Sequence, residues 1–159
     1  MAPGGNYEEA FDDLSTLAYR VAYRILGSRE DAEDVAQEAL IRTGLAWRRA
    51  RAYAEAWVAK VAAGLAIDLW RRRQRRPAEL LPEAPDPFKA VEERTALNMA
   101  LTSLSRRQRE VVVLRYLADM PEARVAAVLR CSEGAVKQHA SRGLAALRRQ
   151  LDPLAAEGA

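Results

Sequence analysis

An all-α fold of two small helical domains joined by a Pro-rich linker is predicted by three features of the 159-residue sequence. Apolar residues recur at steps of three and four rather than two, which is the period of helices and not of strands. Four prolines (Pro77, Pro82, Pro85, Pro87) interrupt that period within eleven residues, since each lacks an N–H and restricts the residue before it. Beyond them, two short helical stretches lie three or four residues apart, the outline of a helix-turn-helix. The predicted domains are residues 1–76 and 94–159, with an acidic linker over 77–93.

The first helix is expected from Tyr7 to Leu26, where Phe11, Leu14, Leu17, Ala18, Val21, Ala22, Ile25 and Leu26 form one stripe and Gly27 gives a left-handed stop. Ser28 stands three residues before Asp31, the spacing of an N-terminal cap, so a second helix should run from about Arg29 to Trp47. A short basic connection, Arg48 to Ala52, leads to a third helix from about Tyr53 to Arg73, with Trp57, Val58, Val61, Leu65 and Leu69 as its apolar side. After the linker the helical period resumes near Glu92 and one helix ends near Ser103. Ser105 and Gln108 then form a capping box that opens a helix to Leu117. A short helix from about Pro121 to Leu129, a break at Arg130-Cys131-Ser132 and a last helix from Glu133 to Leu151 complete the chain.

Composition excludes several functions. Hydrophobic residues make up 50% and charged residues 30%, enough apolar material for packed cores. One cysteine, Cys131, and one histidine, His139, cannot build a Cys/His metal site, and no Gly-rich phosphate loop is present, so neither a metal, a cofactor nor an enzymatic activity is expected. Arg or Glu interrupts every apolar stretch before the ~18 residues of a membrane span, and no signal peptide is visible, so a cytoplasmic location is expected.

The net charge of +3 conceals alternating blocks. Residues 1–46 carry 4 basic and 9 acidic side chains, 47–76 carry 9 and 2, 77–93 carry 1 and 5, and 94–159 carry 11 and 6. Basic blocks of this size are the footprint of a nucleic-acid partner, because each Lys or Arg set against a phosphate releases condensed counterions; solvated Arg-rich helix faces are the alternative. On the last helix, Val136, Ala140, Leu144 and Leu147 fall on one side, and Lys137, Gln138, Ser141, Arg142 and Arg148 on another. One side can pack while the other offers hydrogen-bond groups to base edges and phosphates.

The stretches Leu104 to Tyr116, Val125 to Leu129 and Ser132 to Lys137 resemble the promoter-binding C-terminal domain of RNA polymerase sigma factors, and the two-domain size is similar to the extracytoplasmic-function (ECF) subgroup. The resemblance implies that the last helix reads the minus-thirty-five promoter element through Glu133, Lys137, Gln138, Ser141 and Arg142. Two positions depart from the family pattern: Arg130 stands where a Gly is common at the turn, and Pro121 where a capping Ser is usual.

Arg29 to Leu40 resembles the family's core-binding helix, which docks on the largest polymerase subunit. There Asp34, Gln37, Glu38 and Ile41 lie at three- and four-residue steps, two carboxylates, an amide and an apolar edge suited to a basic partner helix. Trp57 to Asp68 and the following Arg run are similar to the minus-ten helix. Opening a promoter requires unstacked bases to be held as single strand, for which a basic groove with aromatic faces is suited. Arg48, Arg49, Arg51, Lys60 and Arg71 to Arg76 supply charge, and Trp47, Tyr53, Trp57 and Trp70 are the aromatic candidates. Gly64 occupies a place where many relatives carry Asn, so minus-ten specificity is expected to lean on the Arg48–Tyr53 loop.

The resemblance therefore implies a promoter-specificity subunit whose partners are core RNA polymerase and promoter DNA, duplex and melted, with an anti-sigma factor as the usual regulator and no membrane contact. The linker acids Glu79, Glu83, Asp86, Glu92 and Glu93 suit either a path through basic channels of the polymerase or a solvated spacer. From the helix-turn-helix alone, a free-standing dimeric regulator on a palindromic operator is the rival function.

Overall fold

The computed structural model describes residues 5–75 and 88–152, and among them every regular element is helical. The chain divides into two compact units, Met1–Pro85 and Asp86–Ala159. The four linker prolines, Glu79, Glu83, Asp86 and Arg76 lie outside the described residues, as does the side chain of Glu92.

In the first unit, α1 (Tyr7–Leu26), α2 (Arg29–Leu45) and α4 (Ala54–Gln74) pack against one another. Asn6 caps α1 through Glu8 N–H, and Gly27 ends it at φ 67°, a left-handed conformation that costs glycine little. The Ser28 hydroxyl accepts from Asp31 N–H at 3.3 Å and starts α2 at the expected place. Helix α2 stops at Leu45 rather than Trp47. A single turn, α3 (Trp47–Ala50), and a 3-10 turn (Arg51–Tyr53) replace the expected connection. Trp47 is drawn away from α2 by packing: its ring lies 5.2 Å from that of Tyr7, whose hydroxyl donates to Leu40 O at 2.6 Å. Burial raises the Tyr7 pKa.

The buried side of α4 differs from the expected one. Ala54, Ala56, Val58, Ala59, Ala62, Ala63, Ala66 and Ile67 are buried, whereas Trp57, Val61, Leu65 and Leu69 are half-buried. Alanines let helix axes approach closely, so close packing here outranks the larger apolar side chains one step round the helix. Phe11, expected in the α1 stripe, is 41% exposed, and Ala10 takes an inner place.

In the second unit, α5 (Phe88–Ser103) begins four residues before the expected Glu92. The Ser105–Gln108 capping box is complete in both directions and opens α6 (Arg106–Val112). The expected continuous helix to Leu117 loosens into a π turn over Val113–Leu117, closed by Ala118 N–H to Val113 O at 3.0 Å. Arg115 Nη1 donates to Met120 O at 2.6 Å and holds the following turn, in which Asp119 sits at φ 55°. Helix α7 (Glu122–Leu129) starts after Pro121, which supplies no side-chain cap. Helix α8 (Glu133–Leu151) has the expected bounds, and Ser132 Oγ accepts from Ala135 N–H at 3.0 Å. Ala100, Leu101, Leu104, Val112 and Leu147 form a core that brings α5, α6 and α8 together.

Gly143 brings α8 close against α6, since a Cβ there would lie 2.7 Å from Val112 Cγ2. Gly143→Ala is therefore expected to lose stability although alanine favours helix by about 1 kcal/mol, because overpacking costs about 1–3 kcal/mol. Urea unfolding should show a lower midpoint with an unchanged slope.

Candidate polymerase and nucleic-acid interfaces

Helix α2 separates its two sides cleanly. Asp31, Ala32, Val35, Ala36, Ala39, Leu40 and Thr43 face inward, while Asp34, Gln37, Glu38 and Ile41 are all exposed on the other side. Ile41 is 57% exposed, and Leu45, one turn further on, is 86% exposed. Sequence reading missed Leu45, although its i+4 spacing from Ile41 was the available signal. Glu38 accepts from Arg42 Nε at 2.7 Å, an exposed i,i+4 pair that screens one of the two carboxylates.

The basic candidates form two groups on the first unit. Arg48, Arg49, Arg51 and Tyr53 are exposed together on the α3 and 3-10 turns. Trp57 and Lys60 follow on the outward face of α4, opposite its alanine side, each half-buried. Arg71 and Arg72 lie on later turns of the same helix, Arg71 about 21 Å along the axis from Trp57. Gly64 is exposed between them, and an added Cβ would meet nothing within 4 Å. Trp70 is half-buried.

Arg73 behaves unlike its neighbours. Its guanidinium clasps the Asp31 carboxylate with two hydrogen bonds, Nη2 to Oδ1 at 2.6 Å and Nη1 to Oδ2. The hydrogen bond to Asp31 is the main reason its pKa is raised, with desolvation opposing. Arg73 therefore ties the end of α4 to the start of α2, and the run 71–76 does not act as one uniform charge.

On α8, Val136, Ala140, Gly143 and Leu147 are buried and Leu144 half-buried, while Glu133, Lys137, Gln138, Ser141 and Arg142 are all exposed. The helix thus presents one polar face within its first three turns. Lys137 Nζ lies 3.8 Å from Glu122 Oε2 on α7, a loose pair that positions its ammonium beside the turn. Cys131 and His139 are half-buried, and among the described residues no group of His, Cys, Asp and Glu could hold a metal ion. No helix among the described residues is long and apolar enough to cross a membrane.

Residues 10–76 match the family model of sigma-70 region 2, and residues 94–147 match that of sigma-70 region 4. The chain is 34% identical over 151 residues to an RNA polymerase sigma-E factor of Streptomyces coelicolor, covering 91% of this chain and 85% of that protein. It is 36% identical over 163 residues to the ECF RNA polymerase sigma factor SigF of Caulobacter vibrioides, covering 87% and 88%. The chain belongs to the ECF RNA polymerase sigma factors. As such it is a promoter-specificity subunit, a transcription initiation factor that binds core RNA polymerase and directs initiation at promoters. The region 2 match sets aside a free-standing helix-turn-helix regulator, which the second unit alone left open. The sigma factor also shares its fold with a chain from the structure of CnrH in complex with the cytosolic domain of CnrY, at a TM-score of 0.62 and 24% identity over 95% of this chain and 92% of that one. A second fold neighbour is RpoE in complex with the anti-sigma factor NepR from Bartonella quintana, at a TM-score of 0.53 and 22% identity, covering 91% and 94%.

Proposed function

We propose that the sigma factor divides its work among three surfaces. Residues 1–76 bind core polymerase through Asp34, Gln37, Glu38 and Ile41, and hold the minus-ten element and its melted strand through Arg48, Arg49, Arg51, Tyr53, Trp57, Lys60, Arg71 and Arg72. Residues 94–159 read the minus-thirty-five element through Glu133, Lys137, Gln138, Ser141 and Arg142. Residues 77–93 tether the two, so that once one unit is bound the second contact becomes intramolecular, raising avidity by roughly 10²- to 10⁴-fold when the spacing fits. The chain carries out no catalysis of its own and works in the cytoplasm. A protein of the anti-sigma class, such as the one named with RpoE, is its expected inhibitor.

The observation that carries this reading is the sorting of α8: Val136, Ala140, Gly143 and Leu147 are buried in the second unit, and all five proposed readers remain on the solvent side. A plain helical hairpin has no need of a compact face of Lys, Gln, Ser and Arg at the start of its last helix. Arg142→Ala tests it. An Arg paired with guanine contributes roughly 1–3 kcal/mol of discrimination, so holoenzyme affinity for the minus-thirty-five sequence should fall by that amount while core polymerase binding stays unchanged. Equal loss of both would contradict the assignment.

A further inference from the structure

The turn before α8 holds a strained residue whose side chain no described group engages. Arg130 adopts φ 56° and ψ 48°, the left-handed region, which is costly for a side chain with a Cβ. The backbone there closes a Schellman-type end to α7, with Cys131 N–H donating to Ala126 O at 3.1 Å, and glycine would close the same bonds without strain. Among the described residues nothing repays Arg130: its side chain is exposed, and no carboxylate pairs with its guanidinium. Strain that brings the fold no return points to a use outside it.

We propose that Arg130 is an additional phosphate-binding residue of this sigma factor, gripping the promoter backbone at the rim of the major groove. The inference rests on the reading of α8 given above. When the start of a reading helix enters the groove, basic side chains and backbone N–H groups flanking it take the phosphate contacts that fix its register. Arg130 is such a side chain, exposed between the end of α7 and Ser132, the N-cap of α8. Its partner there is a phosphodiester, whose oxygens accept from the guanidinium fork. It adds a cation at an end of the face that otherwise begins with Glu133.

Opposite effects on folding and binding separate this role from a structural one. Arg130→Gly should raise the melting temperature of the full chain by releasing the strain. The same variant, assembled with core polymerase, should bind a promoter duplex recovered by run-off transcription roughly 3- to 10-fold more weakly, with the log–log salt dependence shallower by about 0.9. The preference among minus-thirty-five sequences should not change. Arg130→Lys should keep the salt dependence. The proposal is overturned if Arg130→Gly binds as tightly as the parent with the same salt dependence, or if it melts earlier. Arg142→Ala in the same assay keeps the two readings apart: weakening by Arg142→Ala alone sinks only the Arg130 proposal, whereas no effect from either variant sinks the reading of α8 itself.

Discussion

Asp34→Lys is expected to leave the fold intact and to abolish capture of core polymerase. Asp34 is exposed in the middle of α2, its carboxylate on the side away from the alanine-lined core, so its replacement should change unfolding free energy by no more than about 0.5 kcal/mol. On the proposed docking face, an ammonium set against a basic partner helix would remove an attraction and add a repulsion, and like-charge juxtaposition at an interface costs several kcal/mol. A loss of at least about 100-fold in affinity follows from several kcal/mol at 1.4 kcal/mol per decade. Gln37→Ala should cost far less, because it removes a neutral hydrogen bond without creating repulsion. Fluorescence anisotropy with labelled chain and core enzyme, beside a thermal melt, measures both quantities. A variant that folds and still binds like the parent would show that polymerase grips another face.

Arg73→Ala is expected to cost about 2–3 kcal/mol of stability, the largest effect of any substitution in the arginine run. Removing one partner of a buried ion pair leaves the other charge uncompensated, at about 3–5 kcal/mol when burial is complete. Here the side chains of Arg73 and Asp31 are 29% and 12% exposed, so water recovers part of that penalty. For a unit of this size the loss corresponds to a fall in melting temperature of about 10 °C or more. Arg71→Ala and Arg72→Ala make the contrast, because neither side chain holds a carboxylate clasp of this kind. They should melt within a few degrees of the parent while weakening promoter complexes and flattening their salt dependence. If all three variants melted alike, Arg73 would be one more solvated cation.

That pair also marks the limit of what local pattern carries. Five arginines within six residues are legible as charge, but which of them is consumed in holding two helices together depends on a contact across 42 residues of sequence. The same limit explains the buried side of α4. Periodicity favours Trp57, Val61, Leu65 and Leu69 because they are large, whereas the three-helix arrangement selects Ala59, Ala62, Ala63 and Ala66 because they are small enough for close approach. Local signals with their own hydrogen bonds were legible: Gly27, Ser28, the Ser105–Gln108 box and Ser132 all mark helix ends where the sequence predicts them. The two sides of α8 were legible for the same reason that its bounds were, a clean 3.6-residue alternation over five turns. Trp47 was not, since its packing against Tyr7 from α1 is a contact across 40 residues that local pattern does not carry. Leu45 was overlooked because its i+4 spacing from Ile41 does not by itself say that both side chains face solvent.

Run-off transcription on a genomic fragment library, with core RNA polymerase alone and with the core enzyme plus this chain, tests the account most directly. Discrete transcripts should arise only when the chain is present. Their start sites should share two sequence elements at a fixed spacing, and Asp34→Lys should abolish them. Transcripts unchanged by addition of the chain, or start sites sharing no paired elements, would contradict it.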